Sequence, residues 1–343
     1  MKRMSFFKKF MLFLNVIAAI CLVLACIVPY TSIASLAFIS LTVPALVLIN
    51  MLFFLYWLFG KKIYMTLSLS ILIFGYFTLG SFIAFNGRQR PVNDVDAISL
   101  LSYNVLGFHG KNQDGWGVNT GPEIVDFIEN ENPDIICFQE FQPIYIKNRM
   151  LTKYTFVANK FEGQNVESPK NLSIYSKFPI INKDVLDFPD TYNGAVYADI
   201  VYKNDTIRLF NVHLESLSIR PNYFKKERSD KLFVRLRDSF AKQQKQSDII
   251  RQHINLSPYP VIVSGDFNNT QFSKVYFNIK GDLKDSFLES GRGYGETIKF
   301  WKFPFRIDMI LGDPSFTFLS HKNYKIDISD HEPIMATFKW SGE

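Results

Sequence analysis

The stretch VIVSGDFNNT, residues 261–270, begins as a run typical of a buried strand and continues at once with Gly, Asp and Asn. These three residue types form turns readily, so the stretch taken alone is explained by a turn. Asp266 and Asn268 are two residues apart, however, and in an extended backbone alternate side chains point to the same side. A turn and a polar site are therefore both open at this point.

The same arrangement, an apolar strand that ends in a polar side chain, recurs along the chain. The places are Asn104 after LLSY, Gln139 and Glu140 after DIICF, His213 after IRLFNV, Asp266 and Asn268 after VIVSG, Asp308 within FRIDMIL, and Asp330 and His331 in ISDHEP before IMATF. One such residue is explained by a turn. Six strands that carry carboxylates, amides and histidines indicate one site at one edge of a sheet.

The residue types in this set restrict the chemistry. Carboxylates and amides without a thiolate cluster favour a hard divalent cation, Mg²⁺ or also Mn²⁺, bound through oxygen. Zinc fits less well because neither HExxH nor a Cys/His spacing is present, and no GxSxG motif supports a serine triad. The set predicts metal-assisted hydrolysis of a phosphate ester, in which a carboxylate activates water and a protonated histidine stabilises the developing charge.

Short apolar runs bounded by polar turns predict the remaining architecture of the region after residue 96. The predicted strands are 97–105, 134–138, 155–158, 172–175, 195–201, 206–213, 260–264, 305–311 and 334–339, and the predicted helices are 122–131, 144–151, 230–254 and 273–279. Several strands, such as 135–138, are apolar on both faces and need cover on both sides. We therefore expect an α/β fold with two packed sheets flanked by helices.

Three uncharged segments precede this region, at residues 11–28, 31–59 and 63–86. Each meets the length of about 18–20 apolar residues that crosses a membrane, which predicts transmembrane helices at 8–29, 33–59 and 63–85. The alternatives are a cleaved signal peptide for the first and a buried helical core for all three. We divide the chain into a membrane anchor (1–86), a linker (87–96) and a catalytic domain (97–343).

The distribution of Lys and Arg predicts how the anchor is oriented in the membrane, and it distinguishes the anchor from the rest of the chain. Four Lys/Arg precede the first helix and two separate the second from the third, so the positive-inside rule places these ends in the cytoplasm and the catalytic domain on the extracytoplasmic side. Residues 1–93 hold 8 of the 38 Lys/Arg and none of the 32 Asp/Glu, which leaves the remainder at −2. The basic balance of the whole chain is therefore no argument for nucleic-acid binding.

The quoted segments LLSYNVLGF, DIICFQEFQ, NVHLES, VIVSGDFNNT, RIDMIL and ISDHEPIMATF resemble the ordered motifs of the endonuclease/exonuclease/phosphatase superfamily. The resemblance covers about residues 97–340. It implies a four-layer α/β sandwich, two mixed β-sheets flanked by helices, with the site at one edge of both sheets. One departure is SKFP, where many members have Ser-Arg-x-Pro, so Lys177 replaces the arginine.

The resemblance also implies roles for individual residues. Glu140, with Asn104 and Asp330 nearby, would hold Mg²⁺. Asp266 would position or deprotonate the attacking water. The phosphate contacts would come from Asn268, from His331 as a cation held by Asp308, and from His213.

The substrate stays open between a nucleic acid and a lipid or headgroup phosphodiester. Residues 216–256 carry ten Lys/Arg against four acids, which suits phosphates of either kind. A solvated helix face explains the same charges, since 230–254 alternates charged and apolar residues at helical spacing. The anchor favours a lipid, because it holds the site near the bilayer. A catalytically inactive scaffold that binds a partner at the membrane is the other class of function, and no obligate protein partner is inferred.

Overall fold

The structure, a computed structural model, describes residues 4–81, 83–85, 94–112, 115–142, 153–158, 171–217, 229–300 and 303–340. The helices in these ranges are α1 (Phe6–Ile27), α2 (Val43–Leu58), α3 (Lys62–Leu79), α4 (Gly121–Glu131), α5 (Ser229–Asn255), α6 (Lys274–Lys280) and α7 (Ser286–Ser290). The strands are β1 (Ile98–Asn104), β2 (His109–Asn112), β3 (Gly115–Asn119), β4 (Ile135–Gln139), β5 (Phe156–Ala158), β6 (Ser173–Ser176), β7 (Ile180–Asp187), β8 (Gly194–Tyr202), β9 (Asp205–His213), β10 (Val261–Asp266), β11 (Lys284–Asp285), β12 (Ile298–Phe300), β13 (Phe303–Phe305), β14 (Asp308–Gly312), β15 (Phe316–Asn323) and β16 (Ile334–Trp340).

Two six-stranded sheets form the centre of the region after residue 96. The strand order is β15-β16-β1-β4-β6-β5 in the first sheet and β11-β14-β10-β9-β8-β7 in the second. In the first, β1 runs parallel to β4 and antiparallel to β16. In the second, β10 runs parallel to β9 and antiparallel to β14. Both sheets are therefore mixed, as expected.

The apolar residues of the central strands alternate between two cores, which explains why these strands are apolar on both faces. Ile135 and Cys137 of β4 lie in the core between the sheets. Ile136 and Phe138 of the same strand belong to the cluster that packs against α4. The outer face of the second sheet is covered by α5 and α6. The order helix, sheet, sheet, helix confirms the four layers.

The three N-terminal helices are long and apolar enough to cross a membrane, over Phe6–Tyr30, Ala34–Leu58 and Lys62–Leu79. Polar contacts join them inside the bundle: Asn15 donates to the Ser68 hydroxyl at 2.7 Å and accepts from the Trp57 indole at 3.1 Å. The second segment begins as a 3-10 helix over Ala34–Thr42, and the α-helix proper starts with Pro44 in its first turn.

Several elements differ from those expected. The strand predicted over 305–311 is divided into the end of β13 and the start of β14. Edge strands β7 and β15 carry mixed polar sequence, because one face of an edge strand meets solvent, and the sequence did not reveal them. The third apolar helix ends at Leu79, where Gly80 follows with φ of 78°, rather than at residue 85. The predicted helix 144–151 and most of the linker 87–96 lie outside the described residues.

Candidate active site

Strand pairing brings three of the predicted side chains to one edge of the second sheet. Asp266, the last residue of β10, is paired with His213 at the end of β9 and with Asp308 at the start of β14. In the first sheet, β1 ends at Asn104 beside the end of β4. Glu140 follows β4 directly.

One atom, Oδ2 of Asp266, lies at the centre of the site. It accepts a hydrogen bond from the Asn104 amide at 3.1 Å. The Nε2 atoms of His213 and His331 each lie 3.6 Å from it. The other oxygen, Oδ1, accepts from the backbone N–H of Asn268 at 2.7 Å. Side chains from both sheets thus surround a carboxylate that is 1 % exposed.

The surroundings shift two pKa values in this group. Burial raises the pKa of Asp266 to about 6, against the smaller lowering effect of His331. Burial alone would lower the pKa of His331, but the carboxylates of Asp308 and Asp266 outweigh it and raise that pKa well above its usual range. His331 Nδ1 lies 2.9 Å from Asp308 Oδ2. These shifts favour a protonated imidazole on His331 beside a carboxylate on Asp266 whose pKa suits a proton acceptor.

Glu140 offers the accessible carboxylate of the site. Its side chain is 38 % exposed, and its Oε1 lies 3.2 Å from Asn104 Nδ2 and 3.8 Å from His213 Nε2. Its backbone φ is 50°, which is uncommon for a residue with a long side chain and costs roughly 1–3 kcal/mol. Such a strained backbone clusters at functional sites, where the surrounding structure maintains it.

The donor set fits a divalent cation. The carboxylates of Glu140 and Asp266 both lie near His213 Nε2, at 3.8 and 3.6 Å, and hard cations prefer such oxygens. His213 Nε2 is buried near both of these carboxylates and has no hydrogen-bond partner among the residues that the structure describes, so it can bind a ligand. Asp266, Asp308 and His331 also form a compact group with ligand atoms within 4.8 Å of one another. A protonated His331 has no lone pair to offer, so this second group suits proton transfer better than metal binding.

Two predicted residues lie at the border of the site. Asn268 has φ of 47° and donates one side-chain N–H to the Leu214 carbonyl at 3.0 Å. Its second N–H has no acceptor in the described ranges and can meet a ligand. Asp330 is exposed, and its Oδ1 lies 3.3 Å from the Ser329 hydroxyl oxygen. Among the described residues, no hydrogen bond joins Asp330 to Asn104 or Glu140 in the structure.

Sequence reasoning missed the residues that support these side chains. Thr297 Oγ1 accepts from the backbone N–H of Asp308 at 3.2 Å, and the Ser329 hydroxyl donates to the Asn104 carbonyl at 2.9 Å. Ser329 had a local signal, since it precedes Asp330 in the motif, whereas Thr297 had none. Gln139, a strand-end polar residue, faces inward instead and donates to Asn211 Oδ1 at 2.7 Å between the sheets.

Comparison with known structures shows the same fold at low sequence identity. Zebrafish (D. rerio) TDP2, solved with a single-strand DNA product, is 19% identical, with a TM-score of 0.52 over 72% of this chain and 100% of that one. An endonuclease/exonuclease/phosphatase family protein from Bacteroides thetaiotaomicron is 18% identical, with a TM-score of 0.52 over 71% and 98%. The catalytic domain of human nocturnin, solved with a bound sulfate, is 16% identical, with a TM-score of 0.50 over 73% and 97%.

Two protein families match this chain, one over the N-terminal helices and one over the region that follows them. No curated protein sequence matches it. A domain of unknown function, DUF8431, matches residues 8–82, which include the three apolar helices. The Endonuclease/Exonuclease/phosphatase family matches residues 101–331, about two thirds of the chain. The chain therefore belongs to the endonuclease/exonuclease/phosphatase family and is, with it, a phosphoric ester hydrolase.

Proposed function

We propose that the protein is a membrane-anchored hydrolase of phosphate esters that depends on a divalent cation, with Mg²⁺ preferred and Mn²⁺ as the second candidate. The observation that carries this proposal is the convergence on Asp266 Oδ2 of Asn104, His213 and His331, with Glu140 accessible beside them. Such a group combines a cation ligand, a proton acceptor and a proton-bearing imidazole in one place.

Each side chain of the site has its own role in the proposed reaction. Glu140, with Asn104 and Asp330 nearby, would hold the cation, which when bound polarises a phosphoryl oxygen. Asp266 accepts the proton of the attacking water as the new P–O bond forms. His331, oriented by Asp308, presents its Nε2–H to the phosphate as the bond to the leaving group breaks.

Two further contacts position the phosphate. His213 contributes its unpartnered Nε2, and Asn268 contributes its free side-chain N–H. Within the described part of the chain, no hydrogen bond uses either group, and a phosphate oxygen is a strong acceptor for both.

The proposed organisation is an anchor over residues 1–86, a linker over 87–96 and a catalytic domain over 97–343. In this scheme the three apolar helices make the protein an integral, multi-pass membrane protein in contact with the lipid bilayer. The Lys61-Lys62 end of the bundle would lie in the cytoplasm and the catalytic domain on the extracytoplasmic side. Antiparallel packing supports this: the end of α1, the start of the second segment and the end of α3 all contact the catalytic domain.

Two substrate classes fit the site, a nucleic acid and a lipid or headgroup phosphodiester. A cavity of about 500 Å³ along helix α5 reaches Glu215, two residues beyond His213. It is lined by three cations and three acids: Lys231, Arg235 and Lys242, and Glu215, Asp230 and Asp238. The cations suit the phosphates of either substrate, and the acids balance their charge. The anchor favours the lipid, because it places the site close to the bilayer.

The test is hydrolysis of bis-p-nitrophenyl phosphate by the full-length protein in detergent, with Mg²⁺, with Mn²⁺ and with EDTA. We expect cation-dependent release of nitrophenol that Asp266→Asn lowers at least about 100-fold, since the proton acceptor is lost. The matched control is Asp199→Asn: Asp199 is an equally buried carboxylate of the same sheet, but it pairs with Arg208 at 2.7 Å.

The outcomes separate the enzyme from the alternative, an inactive scaffold that binds a partner. Equal inactivity of wild type and Asp266→Asn with both metals contradicts a hydrolase and leaves the scaffold. To identify the substrate class, the active protein is offered plasmid DNA, RNA and vesicles of sphingolipid or phospholipid in parallel. Nicked DNA without headgroup release excludes the lipid, and headgroup release with intact nucleic acids excludes the nuclease.

A further inference from the structure

The membrane helices contact the loop that carries Asn268. Between the end of β10 and the start of α6, the chain runs from the site directly to the helical bundle. Phe272, four residues after Asn268, is 3 % exposed and packs into the cluster formed by Leu22, Ala25 and Val43 with Cys26 and Leu79. Phe272, in the loop that follows the site, is therefore part of the hydrophobic core of the three apolar helices.

Gln271 joins the end of α3 to both segments that bear site residues. Its amide donates to the carbonyl of Ser81 at 3.1 Å. Its carbonyl oxygen accepts from Arg306, which lies two residues before Asp308. Gln271 itself lies three residues after Asn268 and is 5 % exposed. One amide thus links the bundle to the approaches of Asn268 and Asp308.

Arg306 makes this link rigid. It is 4 % exposed and forms a two-pronged ion pair with Asp285, at 2.8 and 3.1 Å. Bidentate arginine–carboxylate pairs hold a defined geometry. The bundle is also joined to the domain nearby, where Ala84 and Gly293 exchange two backbone hydrogen bonds of 2.8 Å. The end of α3 is therefore held in a fixed position against the catalytic domain.

The opposite side of the same loop is held by α5. Gln243 donates to the Asn268 carbonyl at 3.1 Å and accepts from the Asn269 amide at 2.8 Å. Asn268 keeps a left-handed backbone with φ of 47°, which persists only where neighbouring structure maintains it. The loop is thus clamped between a helix of the catalytic domain and the membrane bundle.

We propose that Gln271 is a positioning residue through which the membrane helices hold Asn268 and Asp308 in their places in the site. The anchor is then a structural part of the active site in addition to a tether. The kinetic effect that this inference predicts rests on the proposed hydrolase function. The structural effect that it predicts rests on the contacts alone.

The test compares the full-length protein with Gln271→Glu. The carboxylate still accepts from Arg306 but has no donor for the Ser81 carbonyl and repels it. The matched control is Lys274→Ala, which removes a different contact between the same parts, the 2.6 Å bond from Lys274 to the Ser32 hydroxyl. Two quantities are measured in detergent: hydrogen exchange of the peptide 264–273 by mass spectrometry, and kcat and KM for bis-p-nitrophenyl phosphate.

We expect Gln271→Glu to speed exchange in peptide 264–273 about tenfold and to lower kcat about 5- to 10-fold with KM within twofold, since one buried hydrogen bond is lost. Lys274→Ala should match wild type in both. Unchanged exchange in Gln271→Glu overturns the inference, and so does faster exchange in an active enzyme whose kcat is unchanged. If wild type itself hydrolyses nothing but the exchange effect is present, the positioning contact stands and the proposed hydrolase function fails.

Discussion

Gly265, between Ser264 and Asp266, is a position where a single added methyl group would disturb the pairing of the two strands that carry Asp266 and His213. Its backbone has φ of 140°, and a Cβ built there would lie 2.1 Å from the carbonyl oxygen of Val212 in the adjacent strand β9. Ordinary van der Waals contact begins at 3.4 Å, so β9 and β10 would have to separate by more than about 1 Å.

The cost of Gly265→Ala has two parts. The backbone conformation, nearly exclusive to glycine, costs about 1–3 kcal/mol for an alanine. Separating the strands weakens roughly two ladder hydrogen bonds, each worth about 1 kcal/mol. The matched control is Gly117→Ala, because Gly117 also has positive φ, 86°, but no heavy atom of the described residues beyond its chain neighbours lies within 4 Å of the added Cβ. Gly117→Ala should therefore lose only the free energy of the unfavourable backbone conformation.

Thermal unfolding of the full-length protein in detergent measures the difference. About 2 kcal/mol of additional destabilisation should lower the Tm of Gly265→Ala by roughly 4–8 °C more than that of Gly117→Ala. Because Asp266 is paired with His213 across the same strands, hydrolysis measured well below both Tm values should also fall in Gly265→Ala alone. Equal Tm shifts in the two variants would refute the reasoning.

Three further predictions concern charged groups. Asp308→Asn should lower kcat by about 10- to 100-fold in the nitrophenyl assay, because the charged hydrogen bond that orients His331 is lost; unchanged kcat contradicts that role. Arg306→Met should destabilise the protein by about 3–5 kcal/mol in a Tm assay, since it leaves Asp285 buried and unpaired, and Arg306→Met/Asp285→Leu should recover part of this. Burial lowers the pKa of His321 to about 4, so the unfolded chain alone binds a proton as pH falls from about 6.5 to 4. The contribution of His321 to stability should therefore fall by up to about 3 kcal/mol over that window and be retained above it, and the difference in Tm between wild type and His321→Gln should change with pH by the corresponding amount.

The candidate site was readable from the sequence because its residues end strands, and strand patterns are local. Short apolar runs bounded by polar turns marked β1, β4, β9 and β10, and the polar residue after each was then a candidate for a common edge. Edge strands β7 and β15 were not readable, since exposed polar residues interrupt their apolar runs. Thr297 and Ser329 support the site through contacts with backbone atoms. Ser329 lies in the motif directly before Asp330, whereas nothing in the sequence marks Thr297.

Sequence by itself determined the α/β class, the three apolar helices and the set of polar residues at the strand ends. These depend on local periodicity and on the length of uncharged segments. Tertiary structure alone decided that Gln139 faces inward, that Asp330 is exposed beside a buried His331, and that Gln271 contacts the end of α3. Each of these depends on which residues distant along the chain come together, and packing of two sheets and a helical bundle determines that.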